Sequence, residues 1–331
     1  MRWYMAELDR LREAERHEPI LSKHADRFHF YVADQELREK YEEQVSLFWT
    51  PNEIDPYADR GQWLTLEEHE RRFISTILAF FATADGIVFE NIATNFAAEV
   101  TIPEARFFYG FQGAMENIHS ETYMKILKAY VTDPSEQEAL IHANTQNAAI
   151  RKKAQWAMQY FDESMPFCLR LVAFACVEGI FFSGAFCSIF WLKHYRPGLL
   201  EALTFSNQLI ARDDGLHTDF SVMLFHRLQV KPRDAEVRAI VVRAVELEDE
   251  FTSDVLNVSL VGISAEAMRQ YIRFVADRLL VQLGYAKQYD VRCPFTFMEK
   301  QSMRVTTNFF ENKVAEYALP TEGSFCVDAS F

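Results

Sequence analysis

The sequence predicts an all-α protein, a bundle of long helices around one thick apolar interior. Three observations predict it. Glycine and proline are scarce, 11 and 10 among 331 residues, so few points interrupt regular structure. Long stretches carry apolar residues at three- and four-residue spacing, and alternating, strand-like runs are few. Apolar residues make up 49% of the chain and aromatic ones 14%, ample to fill a large interior.

The periodicity places helices at roughly 35–48, 67–98, 103–130, 136–160, 167–194, 201–228, 233–258 and 264–285. Thr65 opens a Thr-Leu-Glu-Glu run with the pattern of a capping box. Pro103 suits a first helical turn. Pro197-Gly198 ends one helix, and Pro232 separates two later ones. No repeat, low-complexity linker or shift of composition marks a second domain. The chain divides into an N-terminal extension (1–24), one helical domain (25–318) and a tail (319–331). The tail, LPTEGSFCVDASF, lacks helical pattern and reads as a mobile end.

Residues 171–192, LVAFACVEGIFFSGAFCSIFWL, are long and apolar enough to cross a bilayer. Glu178 near their centre would cost ~3 kcal/mol there. A helix apolar all round also suits the centre of a large soluble protein, and neighbouring segments carry matching, buried-looking charges. The buried helix is the expectation, with no membrane partner. Against 34 basic residues stand 48 acidic ones, a net charge of −14, which repels phosphate backbones and argues against nucleic-acid binding. The five cysteines form no CxxC pair, and the first residues lack the apolar core of a signal peptide. A reducing, cytoplasmic location follows as the expectation.

Two helical segments pair a carboxylate with a histidine three residues on: Glu116-Asn-Ile-His119 and Asp214-Gly-Leu-His217. Residues three apart share a helix face, so both side chains of a pair can reach one ion. One such pair arises easily by chance. Two inside apolar helices, about a hundred residues apart, do not. Asp85, in LAFFATADGIVFEN, and Glu178, in AFACVEGIFFSGAF, are further acids in apolar helices. A buried carboxylate needs a cation, a partner or a proton. Either acid alone reads as half of an ion pair. Together the four segments supply one carboxylate from each of two helices and a carboxylate-x-x-His from each of two others, the pattern of di-iron and di-manganese bundles. Oxygen and nitrogen donors of this hardness suit iron or manganese.

Tyr123 lies four residues past His119 and seven past Glu116, on the same helix face. A tyrosine on an apolar face is usually core; here it could also give an electron and a proton to an oxidised metal pair. Phe182 and Phe186 follow Glu178 at four and eight, and Ile210 precedes Asp214 by four. They could wall the phenol from water, or simply pack. His69, Glu90 and Glu121 read as solvated or ion-paired helix residues, and Trp63, Trp156 and Trp191 as packing.

These strings resemble the small subunit of class I ribonucleotide reductase, of the eukaryotic or large-DNA-virus type. The resemblance rests on FFATADGIVFEN, ARFFYGFQGAMENIHSETY, AFACVEGIFFSGAFCSIFWLK, LTFSNQLIARDDGLHTDF, FVADRLLVQLGY and NFFENKVAEY, and runs from about residue 25 to the end. It implies a ferritin-like fold, a homodimer, and a di-iron centre assembled with O2, with two iron ions per chain or manganese in their place. It implies Asp85, Glu116, His119, Glu178, Asp214 and His217 as ligands and Tyr123 as the radical residue. Trp49, in SLFWTPNEID, matches the tryptophan of the long-range electron path, and Asp213 the acid between it and a metal-bound histidine. Tyr317 matches the tail tyrosine that passes the radical to the large subunit, and the terminal FCVDASF, with Phe325 and Phe331, the segment that docks there. The implied activity is supply of a radical to that subunit, which reduces ribonucleoside diphosphates.

The chain departs from the family at Asp214, where the family has Glu. One methylene less shortens the reach by ~1.5 Å and predicts a weakened or altered second metal site. Cys326 and Ser330 also depart from the usual tail. Two other readings compete: a di-metal oxidase with its own small substrate, against which Trp49, Tyr123 and Tyr317 argue, and a metal-poor scaffolding paralogue, supported at the ligands by Asp214 alone.

Overall fold

A computed structural model of the chain describes residues 2–22, 32–162 and 164–299. Among the described residues there is no strand. The helices are α1 (Arg2–Glu15), α2 (Gln35–Ser46), α3 (Glu68–Asn91), α4 (Pro103–Tyr130), α5 (Pro134–Gln146), α6 (Ala148–Gln159), α7 (Phe167–Gly179), α8 (Ser183–Tyr195), α9 (Glu201–Arg227), α10 (Asp234–Glu250) and α11 (Ala265–Gln282). Shorter turns of helix lie between them. At the centre α3 packs along α4 and α7 along α9. The remaining helices wrap these four.

The helix ends follow local chemistry. Pro103 occupies the first turn of α4, with Glu104 beside it and Lys128 in the last turn, each matched to the helix dipole. Gly198 (φ 81°) and Leu200 (φ 49°) turn the chain between α8 and α9 in left-handed conformations. The first-turn N–H groups of Ala202 and Leu203, which have no helical carbonyl to bond, then donate to the Asp59 carboxylate at 3.2 and 3.1 Å. The start of α3 differs from expectation. Thr65 Oγ1 donates to the Gln62 carbonyl, and the helix begins two residues later, where Glu70 accepts from the Glu67 N–H at 2.9 Å.

Several expected helices are interrupted. Asn147 splits 136–160, its Oδ1 accepting from the N–H groups of Ala149 and Ile150 to cap α6. After α3 and α10 the backbone widens into π-helical turns at Ile92–Phe96 and Phe251–Leu256. The apolar helix at 167–194 breaks at residues 180–182, where the Phe181 N–H returns to the Cys176 carbonyl at 3.1 Å. That stretch and the one starting at Glu68 are both long and apolar enough to cross a membrane, but 94% of the apolar window at Phe167–Tyr195 is buried inside the protein. It is the core helix pair of the bundle. The leading segment is built into the fold as well. Leu8 and Leu11 of α1 are buried, and Glu15 caps α7 by accepting from the Phe167 N–H at 3.0 Å.

Candidate metal centre

The four central helices bring their acids and histidines to one buried place. Asp85 comes from α3, Glu116 and His119 from α4, Glu178 from α7, and Asp214 and His217 from α9; all six are at least 96% buried. Their donor atoms form two groups, each within 4.8 Å: Glu116, Glu178, Asp214 and His217 in one, Asp85, Glu116 and His119 in the other. Glu116 belongs to both, so it is placed to bridge two ions. Asp214 Oδ1 stands 3.6 Å from His119 Nδ1 and 3.9 Å from His217 Nδ1. Despite its shorter side chain, it reaches the middle of the cluster.

The residues fit a metal pair. Asp85 Oδ2, Glu116 Oε1, Glu178 Oε2, Asp214 Oδ1, His119 Nδ1 and His217 Nδ1 are all buried and make no hydrogen bond among the described residues. His217 Nδ1 lies 3.1 Å from Glu116 Oε1 without the alignment of a hydrogen bond. One unpartnered buried acceptor costs about 1–3 kcal/mol; six facing inward are explained by cations between them. The donor set is carboxylate and imidazole with no thiolate, which suits iron or manganese. Without metal the electrostatics are strained. Burial and the Glu116 charge push Asp85 well above the usual carboxylate range. Burial, then Glu178, does the same to Asp214. Glu178 rises to about 7, from burial and the Glu116 charge. Burial would raise Glu116 too, but His119 and His217 beside it draw it down to about 2.

Around this cluster lies a set of supporting contacts. Gln112, four residues before Glu116, donates from Nε2 to Glu178 Oε1 at 2.9 Å and leaves Oε2 to face inward. Asp213 Oδ2 accepts from Trp49 Nε1 at 2.7 Å and meets His119 Nε2 at 3.1 Å, while Asp213 Oδ1 accepts from Arg212 at 2.8 Å. Both oxygens are thus occupied by Trp49, His119 Nε2 and Arg212, on the side of His119 opposite its inward-facing Nδ1. Arg212 also donates to the Leu47 carbonyl, tying the segment before Trp49 to α9. Trp49 is 2% exposed and stacks on His119, ring centres 6.0 Å apart; Phe48 beside it is 47% exposed.

Tyr123 is fully buried, and its hydroxyl has no hydrogen-bond partner among the described residues. Burial, followed by the charges of Asp85 and Asp214, holds the phenol far above its ordinary pKa. Phe81 stacks on its ring at 4.5 Å and 10°. Phe186 and Phe182 pack on Phe81 at 4.9 and 5.7 Å, so they reach Tyr123 through it. Ile210 is buried at 1% exposure. Phe81 and Gln112 were not singled out from sequence. Each stands four residues before a ligand, and that spacing was the available signal. His69, Glu90 and Glu121 are exposed. Tyr317, Phe325 and Phe331 lie outside the described residues.

A bundle whose four central helices turn four carboxylates and two imidazoles onto one buried, metal-shaped cluster is a ferritin-like di-metal carboxylate protein. The comparisons narrow this class. Residues 28–294 match the family model of the ribonucleotide reductase small chain. The chain is 49% identical to the ribonucleoside-diphosphate reductase small chain of Trypanosoma brucei brucei over 330 residues, 97% of both chains. It is 47% identical to subunit M2 of the human enzyme over 322 residues, 95% of this chain and 82% of that one. The structure of the ribonucleotide reductase Rnr4 homodimer from Saccharomyces cerevisiae matches it with a TM-score of 0.85 at 34% identity, covering 96% of this chain and 98% of that one. The chain belongs to the ribonucleotide reductase small-chain family.

Proposed function

We propose that the protein is the radical-generating small subunit of ribonucleoside-diphosphate reductase, that it binds two iron ions, and that Tyr123 carries its radical. The observation that carries this reading is a single juxtaposition. Six clustered acids and histidines with unpartnered inward-facing atoms share a helix and an electrostatic environment with a fully buried phenol, whose pKa the Asp85, Asp214 and Glu116 charges raise after burial. Asp85, Glu116, His119, Glu178, Asp214 and His217 would hold the ions. When bound and oxidised with O2, the metal pair supplies a one-electron oxidant. The protein does the rest. Burial makes the Tyr123 phenolate inaccessible, so the phenol gives up its electron and proton together. Phe81, with Phe182 and Phe186 behind it, excludes water and reductants from the ring.

Trp49, Asp213 and His119 form a hydrogen-bonded row from beneath the surface to the cluster. We assign to this row the passage of the electron, with Asp213 Oδ2 holding the Trp49 and His119 protons in place. Burial would raise the Asp213 pKa, but the contact with His119, then the Arg212 charge, hold it below the usual carboxylate value. Tyr317 would continue the route, and the tail 319–331, through Phe325 and Phe331, would dock on the large subunit, following the folded domain at 25–318. The assembly is a homodimer, in keeping with the yeast relative, and it works in the cytoplasm.

The test is electron paramagnetic resonance after adding ferrous iron and then O2 to metal-free protein, with Tyr123→Phe alongside. A tyrosyl signal in the wild type and none in the variant is expected. An unchanged signal in Tyr123→Phe would remove Tyr123 from the role.

A further inference from the structure

The break between α7 and α8 exposes backbone groups that an unbroken helix would satisfy itself. Two charged side chains from elsewhere satisfy them. Lys153, on α6, donates from Nζ to the Phe181 carbonyl at 2.6 Å and to Glu248 Oε2 at 2.6 Å. Glu248, on α10, accepts the Gly184 N–H on its other oxygen at 3.0 Å. One end of the ion pair therefore caps the end of α7, and the other caps the start of α8. The fit is tight, because a Cβ at Gly184 would stand 2.7 Å from Glu248 Oε1 and 2.4 Å from Thr252 Cγ2. Both charges are buried, Lys153 at 3% exposure and Glu248 at 0%. The ammonium lies over the rings of Phe251, Phe80 and Phe181 at 4.0, 4.5 and 4.9 Å.

Such a pair is a poor choice for stability alone, since apolar residues of similar volume often do as well or better. Its position points to another use. The break sets where Phe182 stands, and one turn on, Phe186. Both rest on Phe81, the ring stacked on Tyr123. Phe80, under the Lys153 ammonium, also meets Phe81 at 5.6 Å and Phe182 at 6.1 Å. We propose that Lys153 and Glu248 are positioning residues: a buried ionic brace that holds the α7–α8 break open and so fixes the aromatic wall around Tyr123. The part concerning Tyr123 rests on its assignment as the radical residue; the part concerning the break does not.

Two variants test the brace. Lys153→Met removes the cation. Lys153→Met/Glu248→Met removes both charges at nearly constant volume, so it avoids an unpaired buried charge. Lys153→Arg is the rescue, because it keeps a cation beside Glu248 and the Phe181 carbonyl. Hydrogen–deuterium exchange on the metal-free full chain reads the break directly. Peptides spanning 178–186 are expected to exchange about tenfold faster or more in both Met variants, and at the wild-type rate in Lys153→Arg. In iron- and O2-treated protein the same Met variants, at wild-type metal content, are expected to lose the tyrosyl signal to hydroxylamine about tenfold faster and to show an altered line shape. Wild-type exchange over 178–186 in the double variant would overturn the brace. Faster exchange with unchanged radical lifetime and line shape would overturn its action on Tyr123. Failure of both Met variants to fold would make the pair a folding element instead and also refute the positioning role. A wild type that never gives a tyrosyl signal would refute the Tyr123 assignment, and with it the link to Tyr123, while the exchange result would still decide the brace.

Discussion

Replacing Tyr123 by Phe should stabilise the metal-free protein, and this separates a residue kept for chemistry from one kept for folding. The Tyr123 hydroxyl is buried with no hydrogen-bond partner among the described residues, an arrangement that costs about 1–3 kcal/mol. Phe keeps the ring and its stack on Phe81. The void left by one oxygen takes back only a few tenths of a kcal/mol at ~24 cal/mol per Å³. The net gain is ~1–2.5 kcal/mol. An unfolding entropy of about 2.1 cal/mol/K per residue over a chain this long gives roughly 1.4 °C per kcal/mol, so Tm should rise by ~1.5–3.5 °C. Tyr130→Phe is the control. Tyr130 is also buried, but its hydroxyl donates to Asp59 Oδ2 at 2.6 Å. Losing a bond to a charged acceptor should cost ~1.5–3 kcal/mol and lower Tm by ~2–4 °C. Calorimetry on metal-free protein at one subunit concentration reads both. If Tyr123→Phe loses as much stability as Tyr130→Phe, the hydroxyl has a structural role and the reasoning from its isolation fails.

Other expectations follow from the same geometry. Asp214→Ala should bind about one metal ion per chain instead of two and give no tyrosyl signal, whereas Asp214→Glu should keep two; metal analysis after desalting decides, and two ions in Asp214→Ala would show that this carboxylate is not a ligand. Metal-free protein should lose stability as pH rises. Burial and Glu116 lift Glu178 from 4.5 to about 7, and Glu116 and Glu178 lift His217, against its burial, from 6.5 to about 10. Groups raised on folding stabilise fully below their unfolded values, and that stabilisation is lost as pH passes their folded ones. The losses therefore fall between 4.5 and 7 for Glu178 and between 6.5 and 10 for His217. Metal binds the deprotonated ligands, so the rise in Tm on adding Mn(II) without oxygen should grow over this window; a constant increment would contradict it. Truncation after Leu319 should leave the tyrosyl signal intact and abolish ribonucleotide reduction with the large subunit. Activity retained by the truncated chain would return the di-metal oxidase reading to the front.

The convergence of the four acids and two histidines on one cluster was legible because a helix converts spacing into direction. Acid and histidine three apart must share a face, and two such faces with two lone buried acids leave few arrangements besides a shared ion site. Phe81 was not legible in the same way. It stands four residues before Asp85, but in LAFFATADG one aromatic residue looks like the next. The structure separates the two: Phe81 stacks on Tyr123, whereas Phe80 lies under the Lys153 ammonium. Gln112 was more nearly readable, as a polar residue four before Glu116 in an aromatic stretch. Asn147 was a visible cap signal inside a continuous helical pattern, and at Glu67 the capping acid Glu70 outweighed the threonine two residues earlier.

The break at 180–182 lies beyond local reading for a different reason. Gly179 is the only flexible residue before it, and its neighbours favour continuing an apolar helix. What stops the helix comes from Lys153 and Glu248, 28 residues before Phe181 and 64 after Gly184. Their partners there are backbone groups, so apart from the missing Cβ at Gly184 no pattern of side chains around 180 announces them. A carboxylate site of this kind therefore has two layers of different legibility. The acids and histidines of the cluster are placed by periodicity within single helices and can be read from the chain. The aromatic wall that protects the neighbouring phenol is fixed by tertiary capping of a broken helix, and becomes visible only when α6, α7, α8 and α10 are seen together.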